Sequence, residues 1–252
     1  MRDAVTATGD LSRQGGTGGV RSFTAFARGE LLRYVMDLEF WQESWARGGS
    51  ATSFHRPDVH PFLETYLPPE TLHGRRVLVP LCGKTNDLRY LARHARDVVG
   101  VEAVERAVEQ FFIEHPGKVT RTGDVWRSDN LVILQRDFFD LSRDDVGDVD
   151  VVYDRAALVA LPPDMRARYV DALDALLGPG ARQLVITLEY APELGAAPFS
   201  VSPGEVVRRY GARHEVMHLR GDEQPFHRMV AKYNLKFLRE HAFLLVRRPD
   251  VA

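Results

Sequence analysis

The sequence has one cysteine and no excess charge of either sign. Cys82 is the only cysteine among 252 residues, so it cannot form an internal disulfide, which is typical of a protein from a reducing compartment. Acidic and basic side chains nearly cancel, with a formal net charge of −2 at pH 7, so no general attraction to nucleic acid or to an anionic membrane surface is expected. The balanced charge predicts a small-molecule partner and no nucleic-acid partner.

Long hydrophobic runs are also absent. A membrane-spanning helix requires about 18 consecutive apolar residues, and no stretch of this sequence approaches that length. The first residues contain no apolar signal-peptide core. The histidines show no metal-ligand spacing, so no metal is expected. We therefore predict a soluble cytoplasmic protein that does not contact a membrane.

One turn that invites comparison with phosphate-binding loops has too few glycines for that role. The run "VLVPLCGKTNDLRYLA", residues 77–92, reads as a buried strand that ends near Gly83 and continues as a helix. A P-loop needs a glycine five positions before Gly83, where Leu78 stands, and a dinucleotide fingerprint needs three glycines where this turn has one. Those glycines let phosphates approach the backbone, so the turn predicts a ligand without a diphosphate.

The chain divides by composition into a tail and one domain. Residues 1–25 contain "TGDLSRQGGTGG", which is too polar and glycine-rich to bury a core and predicts a disordered tail. Residues 26–252 are long enough for a single domain, which opens with two predicted helices around "EFWQESW" and "HPFLETYL". Trp41 and Trp45 lie four residues apart on one helical face. They either pack against the core or form a helical lid that excludes water.

Strand and helix patterns then alternate. Five apolar runs predict strands: "RVLVPL", "DVVGVE", "LVILQRD", "VDVVYD" and "RQLVITLEY". Amphipathic segments with helical spacing separate most of them. This alternation predicts an α/β fold with a mostly parallel sheet and helices on both faces. The last two runs, "HEVMHLRGD" and "EHAFLLVRR", predict an antiparallel hairpin at the sheet edge with no helix between its strands.

Candidate binding residues follow the predicted strands, because an open parallel sheet binds ligands at the carboxyl ends of its strands. The residues at those ends are Leu81, Cys82, Gly83, Glu102, Asp137, Phe138, Asp154, Arg155, Glu189 and Tyr190. Glu102 follows Gly83 by about twenty residues, the spacing at which a carboxylate can accept hydrogen bonds from both ribose hydroxyls of a nucleoside. The many carboxylates would repel a diphosphate but favour a nucleoside that carries a cation, as S-adenosylmethionine does.

Two of these positions allow alternative interpretations. Asp137 and Phe138 suit an adenine base, with a carboxylate near its amino group and a ring on its face, or they belong to a loop with core phenylalanines. Arg155 directly follows a strand and is costly to bury unpaired. It therefore either binds an anionic group of the ligand or pairs with Asp154 or another acid.

Taken together, several stretches resemble the thiopurine S-methyltransferases, a branch of the class I S-adenosylmethionine-dependent methyltransferases. They are "FWQESW", "VLVPLCGKTNDL", "VVGVEAVERAVEQFF", "DFFDL", "VYDRAALVALPPDMRARY", "LVITLEY" and "PFSVSPGEV", in this order from residue 40 to 206. The stretches "PLCGK" and "DRAALVALPP" are the most specific. The resemblance implies a Rossmann-like, seven-stranded, mostly parallel sheet whose last strand is antiparallel, and a monomer that uses S-adenosylmethionine.

The resemblance also implies roles for individual residues. The positions that match cofactor contacts are Trp41, Trp45, Leu81, Gly83, Glu102, Asp137, Phe138 and Arg155. Phe54 matches a position near the methyl acceptor, and Arg155 matches the catalytic position beside the acceptor sulfur. The loop "ARGGSATSFH" is longer than the usual link of the family, and the stretch from Gly211 onward matches weakly.

The implied reaction is methyl transfer to the sulfur of a small aromatic or heterocyclic thiol. One alternative keeps the cofactor but uses an inorganic acceptor, either a selenium or tellurium species, a halide or thiocyanate. Another alternative is a cofactor-binding protein without catalysis.

Overall fold

Nine strands form one mixed sheet in the computed structural model, which describes residues 39–47, 56, 58–115 and 117–249. The strands are β1 Arg76–Val79, β2 Asp97–Val101, β3 Thr120–Thr122, β4 Val125–Ser128, β5 Leu131–Leu134, β6 Val149–Arg155, β7 Leu177–Ala191, β8 His214–Glu223 and β9 Phe237–Arg247. The predicted tail over residues 1–25 and Phe54 lie outside the described residues, so both stay predictions.

The helices alternate with the strands along most of the chain. They are α1 over 39–46, α2 Pro61–Tyr66, α3 Pro69–Leu72, α4 Asp87–His94, α5 Glu105–Glu114, α6 Arg143–Val146, α7 Ala157–Ala160, α8 Arg166–Leu176, α9 Pro203–Tyr210 and α10 Arg228–Tyr233. None of the described helices has both the length and the apolar character needed to cross a membrane.

The strand order is β3-β4-β5-β2-β1-β6-β7-β9-β8. The five central neighbours, from β5 to β7, pair in parallel, and β9 runs antiparallel to both β7 and β8. The α/β class, the mostly parallel sheet, the antiparallel last strand and the terminal hairpin are therefore confirmed.

Two small elements differ from the sequence prediction. Strands β3 and β4 extend the predicted seven-stranded sheet to nine strands. All three residues of β3 are exposed, so this strand has no apolar periodicity to detect. Helix α10 lies between β8 and β9, where no helix was predicted. It has six residues, too few for a clear helical pattern, and the His227 side chain caps it by accepting a hydrogen bond from the Met229 N–H.

Helices cover both faces of the sheet, because successive strand residues point to opposite sides. On β6, Val151 and Tyr153 join the apolar cluster that includes residues of α2, α4 and α5. The neighbouring Val152 joins the cluster that includes residues of α7, α8 and α9. The parallel pairing therefore leaves the carboxyl ends of β1, β2, β5, β6 and β7 together at one edge.

Candidate active site

The chain turns sharply after β1. Leu81 and Gly83 both have positive φ angles, 46° and 54°. The Gly83 N–H donates to Oε2 of Glu102 at 2.8 Å, and the Cys82 N–H donates to the Val101 carbonyl at 2.8 Å. A positive φ is uncommon for leucine, so these two hydrogen bonds help hold an otherwise unfavourable turn against the end of β2.

Glu102, at the tip of β2, has both carboxylate oxygens bonded to the backbone. Its side chain is only 8% exposed, and its second oxygen, Oε1, accepts from the Val104 N–H at 2.8 Å. Burial raises the pKa of the carboxyl above its usual value, although the backbone N–H donors of Val104 and Gly83 oppose the rise. A carboxylate has about four lone-pair sites, so two backbone donors leave room for two more. The carboxylate can therefore accept a pair of ligand hydroxyls.

Helix α1 packs onto the same turn. Trp45 is buried and contacts Val104 and Ala107 at the start of α5, and Trp41 packs beside this group. A Cβ atom placed on Gly83 would lie 3.1 Å from Cζ2 of Trp45, so the glycine permits the close approach of the indole. The structure thus brings both tryptophans to the turn after β1.

Asp137 and Phe138 lie at the carboxyl end of β5, beside the tip of β2. The Glu102 N–H donates to the Leu134 carbonyl at 3.0 Å, which joins the ends of these two strands. The Asp137 carboxylate accepts from the Phe139 N–H at 2.9 Å and caps a 3-10 turn. Phe138 is 4% exposed and packs against core residues. The location suits the predicted adenine contacts, which stay predictions.

Arg155 and Asp154 point to opposite faces of the sheet, because they are neighbours in β6. Asp154 is fully buried and accepts from the Tyr169 hydroxyl at 2.8 Å. Burial raises the pKa of Asp154 to about 7. Arg155 is half-buried at the tip of β6, and the left-handed Ala156, with a φ of 76°, then directs the chain into α7.

Sequence reasoning missed a polar pair beside Arg155. The Nε2 atom of His60 lies 3.0 Å from Oε1 of Glu240 in β9. Burial alone would raise the pKa of Glu240, but the hydrogen bond from His60 and the positive charges of Arg155 and Arg56 hold it below its usual value. His60 ends the stretch "HRPDVH", and the sequence prediction considered the histidines only as metal ligands. No local signal could pair it with a residue 180 positions away.

Sequence reasoning also missed an ion pair of Lys84. This side chain is buried and pairs with Glu114 of α5. In the described part of the chain, no three side chains of the His, Cys, Asp or Glu type are arranged to hold a metal ion.

Comparison with known sequences identifies close relatives. The family model for thiopurine S-methyltransferase matches residues 36–248. A thiopurine S-methyltransferase from Pseudomonas putida is 48% identical over 177 residues, which cover 68% of this chain and 81% of that protein. One from Nitrosospira multiformis is 38% identical over 220 residues, which cover 84% of this chain and 99% of that protein.

Comparison with solved structures identifies the same fold at low sequence identity. A 1,6-didemethyltoxoflavin-N1-methyltransferase from Burkholderia thailandensis, solved with S-adenosylhomocysteine, has a TM-score of 0.58 at 16% identity and aligns over 91% of this chain and 94% of that chain. An N-methyltransferase from Bradyrhizobium japonicum, also solved with S-adenosylhomocysteine, has a TM-score of 0.55 at 12% identity and aligns over 85% and 99%.

Proposed function

The chain belongs to the thiopurine S-methyltransferase family and is an S-adenosylmethionine-dependent S-methyltransferase, and on this premise we propose that its acceptor is a small aromatic or heterocyclic thiol. The observation that carries the proposal is the half-buried guanidinium of Arg155 at the edge where Glu102 is held. A fixed positive charge at such an edge favours an acceptor that reacts as an anion.

The residues at the tips of β1, β2 and β5 fit the cofactor. The Glu102 carboxylate is already oriented by two backbone donors, and its remaining lone pairs suit ribose hydroxyls. Asp137 and Phe138 are proposed to contact the adenine. The proposed contacts with the rest of the cofactor are Trp41, Trp45, Leu81, Gly83 and Arg155. When bound, S-adenosylmethionine supplies an electrophilic methyl group attached to a sulfonium.

Arg155 is proposed as the catalytic residue. A thiolate is a far better nucleophile than a thiol. The guanidinium keeps its proton under all ordinary conditions, so Arg155 cannot act as a general base. It can stabilise the acceptor's anion and lower the pKa of the acceptor thiol. Positioning of the acceptor within about 3 to 3.5 Å of the reacting carbon supplies the remainder of the catalysis.

The acceptor class can be tested by competition. Purified protein with S-adenosylmethionine would be offered para-nitrothiophenol together with iodide, thiocyanate or selenite, and the methylated products measured. We expect kcat/KM for the thiol to exceed that for each anion at least about tenfold, since an apolar aromatic acceptor gains binding energy that small anions lack. Preferential methylation of an inorganic anion would contradict the proposed acceptor. Tight cofactor binding without any turnover would favour a non-catalytic role.

The role of Arg155 can be tested by Arg155→Ala. We expect kcat/KM for the thiol to fall about a hundredfold at pH values below the pKa of the free thiol, a loss typical of removing one charge-stabilising group. S-adenosylhomocysteine should still bind, measured by calorimetry, and the defect should shrink where the free thiol is already ionised. Arg75→Ala is the control, because Arg75 is exposed beside the amino end of β1. Unchanged turnover in Arg155→Ala would contradict the catalytic role.

We also propose that the enzyme acts as a monomer in the cytoplasm. The buried, unpaired Cys82 supports a reducing compartment.

A further inference from the structure

A buried hydrogen-bond network fixes His60 on the Arg155 side of the sheet. The backbone N–H of His60 donates to Oδ1 of Asp87 at 2.8 Å, and the Tyr153 hydroxyl donates to Oδ2 of the same carboxylate at 2.8 Å. All three residues are at most 1% exposed. The network therefore joins the start of α2, the first turn of α4 and strand β6. Buried polar groups that are fully bonded in this way are rigid.

The same contacts determine the tautomer of His60. Its Nδ1 accepts from the Phe62 N–H at 3.1 Å, so this nitrogen carries no proton. Nε2 therefore carries the proton and donates to Oε1 of Glu240 at 3.0 Å. His60 is a neutral donor in this arrangement, and it orients the Glu240 carboxylate rather than accepting a proton itself.

Strand register places Glu240 and Arg155 on one face. Arg155 pairs with Ile186 of β7, and Leu188, two residues further along β7, pairs with Glu240 of β9. Paired residues share a face, as do residues two apart in a strand. The two side chains therefore start two strand spacings apart and two residues apart along the strands, roughly 12 Å in all. Both are long, and Glu240 stays 14% exposed at the edge where Arg155 ends its strand.

The charge environment agrees with this placement. The positive charges of Arg155 and Arg56 lower the pKa of Glu240. The same two arginines lower the pKa of His227, at the start of α10, and the charge of Glu240 raises it. The pKa of Glu240 lies below its usual value, because the His60 bond and these cations outweigh the effect of burial. Such a carboxylate is a poor general base for a thiol. The negative charge of Glu240 can instead attract and orient the guanidinium of Arg155.

We propose that Glu240, aligned by His60, is a positioning residue that holds the Arg155 guanidinium toward the acceptor sulfur. The inference rests on the proposed function, since it assigns Glu240 to the same acceptor site. Glu240, on the last strand, thereby sets how strongly the acceptor's anion is stabilised.

The test uses Glu240→Gln, which keeps the size and a hydrogen-bond acceptor for His60 but removes the charge. Para-nitrothiophenol would be titrated spectroscopically while bound to the protein with S-adenosylhomocysteine, because the thiolate absorbs differently from the thiol. We expect the pKa of the bound thiol to rise about one unit in the variant, with kcat/KM lowered about tenfold at pH values below that pKa. Glu223→Gln is the control, since Glu223 is exposed and pairs with Arg239.

The sign of the shift separates positioning from a simple charge effect. If Glu240 acted only as a nearby negative charge, its removal would leave a more positive site and lower the pKa of the bound thiol. A fall, or no change, would overturn the proposal. Glu240→Asp should show a smaller rise than Glu240→Gln because it keeps the charge. If the thiol binds and its pKa shifts but no methylation occurs, the proposed function fails while the positioning role stands. If the thiol does not bind, both fail.

Discussion

A single buried carboxyl group, that of Asp154, makes the free energy of unfolding depend on pH. Its carboxyl group is fully buried, and Oδ1 has no hydrogen-bond partner among the described residues. Burial raises its pKa from 3.8 to about 7, despite the Tyr169 hydroxyl and the Ala157 N–H, which favour the charged form. The folded protein therefore holds a proton that the unfolded chain releases.

This shift predicts a pH-dependent stability that Asp154→Asn should reduce. The stabilising contribution is fully present below the unfolded pKa and is lost as pH rises through the folded value of about 7. Between about pH 5 and pH 8 the loss is on the order of 3 kcal/mol. Urea unfolding at both pH values should show a smaller loss for the Asn variant. An equal pH dependence in the two proteins would contradict the raised pKa.

At the scale of elements, the contact between α1 and the turn after β1 depends on one missing side chain. Gly83 has a φ of 54°, and a Cβ atom there would lie 3.1 Å from the Trp45 ring. Gly123 offers a matched comparison, since its φ is 61° and a Cβ atom there would meet nothing within 4 Å. Both glycines therefore have a positive φ angle, but only at Gly83 would a Cβ atom crowd a neighbouring side chain.

We expect Gly83→Ala to destabilise the fold and weaken cofactor binding, whereas Gly123→Ala should only destabilise it. Each alanine costs about 1 kcal/mol for the left-handed backbone. Only Gly83→Ala displaces Trp45, so only this variant should bind S-adenosylhomocysteine more weakly, by about tenfold. Thermal unfolding and calorimetric titration of both variants provide the measurements. Equal affinities would show that the Trp45 contact does not shape the site.

At the scale of the whole molecule, the candidate site lies on the central strands of a single sheet. The turns after β1, β2 and β5 are bonded to one another, so a ligand held there stabilises the structure that all nine strands share. A ligand at about 100 times its Kd adds about 2.7 kcal/mol to the free energy of unfolding.

S-adenosylhomocysteine should therefore raise the unfolding midpoint by about 5 to 10 °C at that concentration. Glu102→Ala should lose most of this rise, because the ligand would lose the carboxylate proposed to bind its ribose. Each variant is compared with its own ligand-free midpoint in a thermal scan. Glu109→Ala, an exposed acid on α5, should keep the full rise. A full rise in Glu102→Ala would contradict the ribose contact.

Much of the fold and part of the site could be predicted from local patterns. The buried strands and amphipathic helices are periodic over a few residues, and parallel pairing necessarily collects the strand tips at one edge. Glu102, Gly83 and Arg155 were located in this way. Strands β3 and β4 and helix α10 were missed, since elements of three to six residues are too short to show a clear pattern.

By itself, the sequence determined the α/β class, the family and the positions of the strand-end residues, because these depend on local spacing and on motifs that are contiguous in the chain. Only the tertiary structure decided which distant residues meet. Strand β9 inserts between β7 and β8, and this brings Glu240 to His60 across 180 positions. Such a contact depends on how the strands are ordered in the sheet, and no local pattern encodes that order.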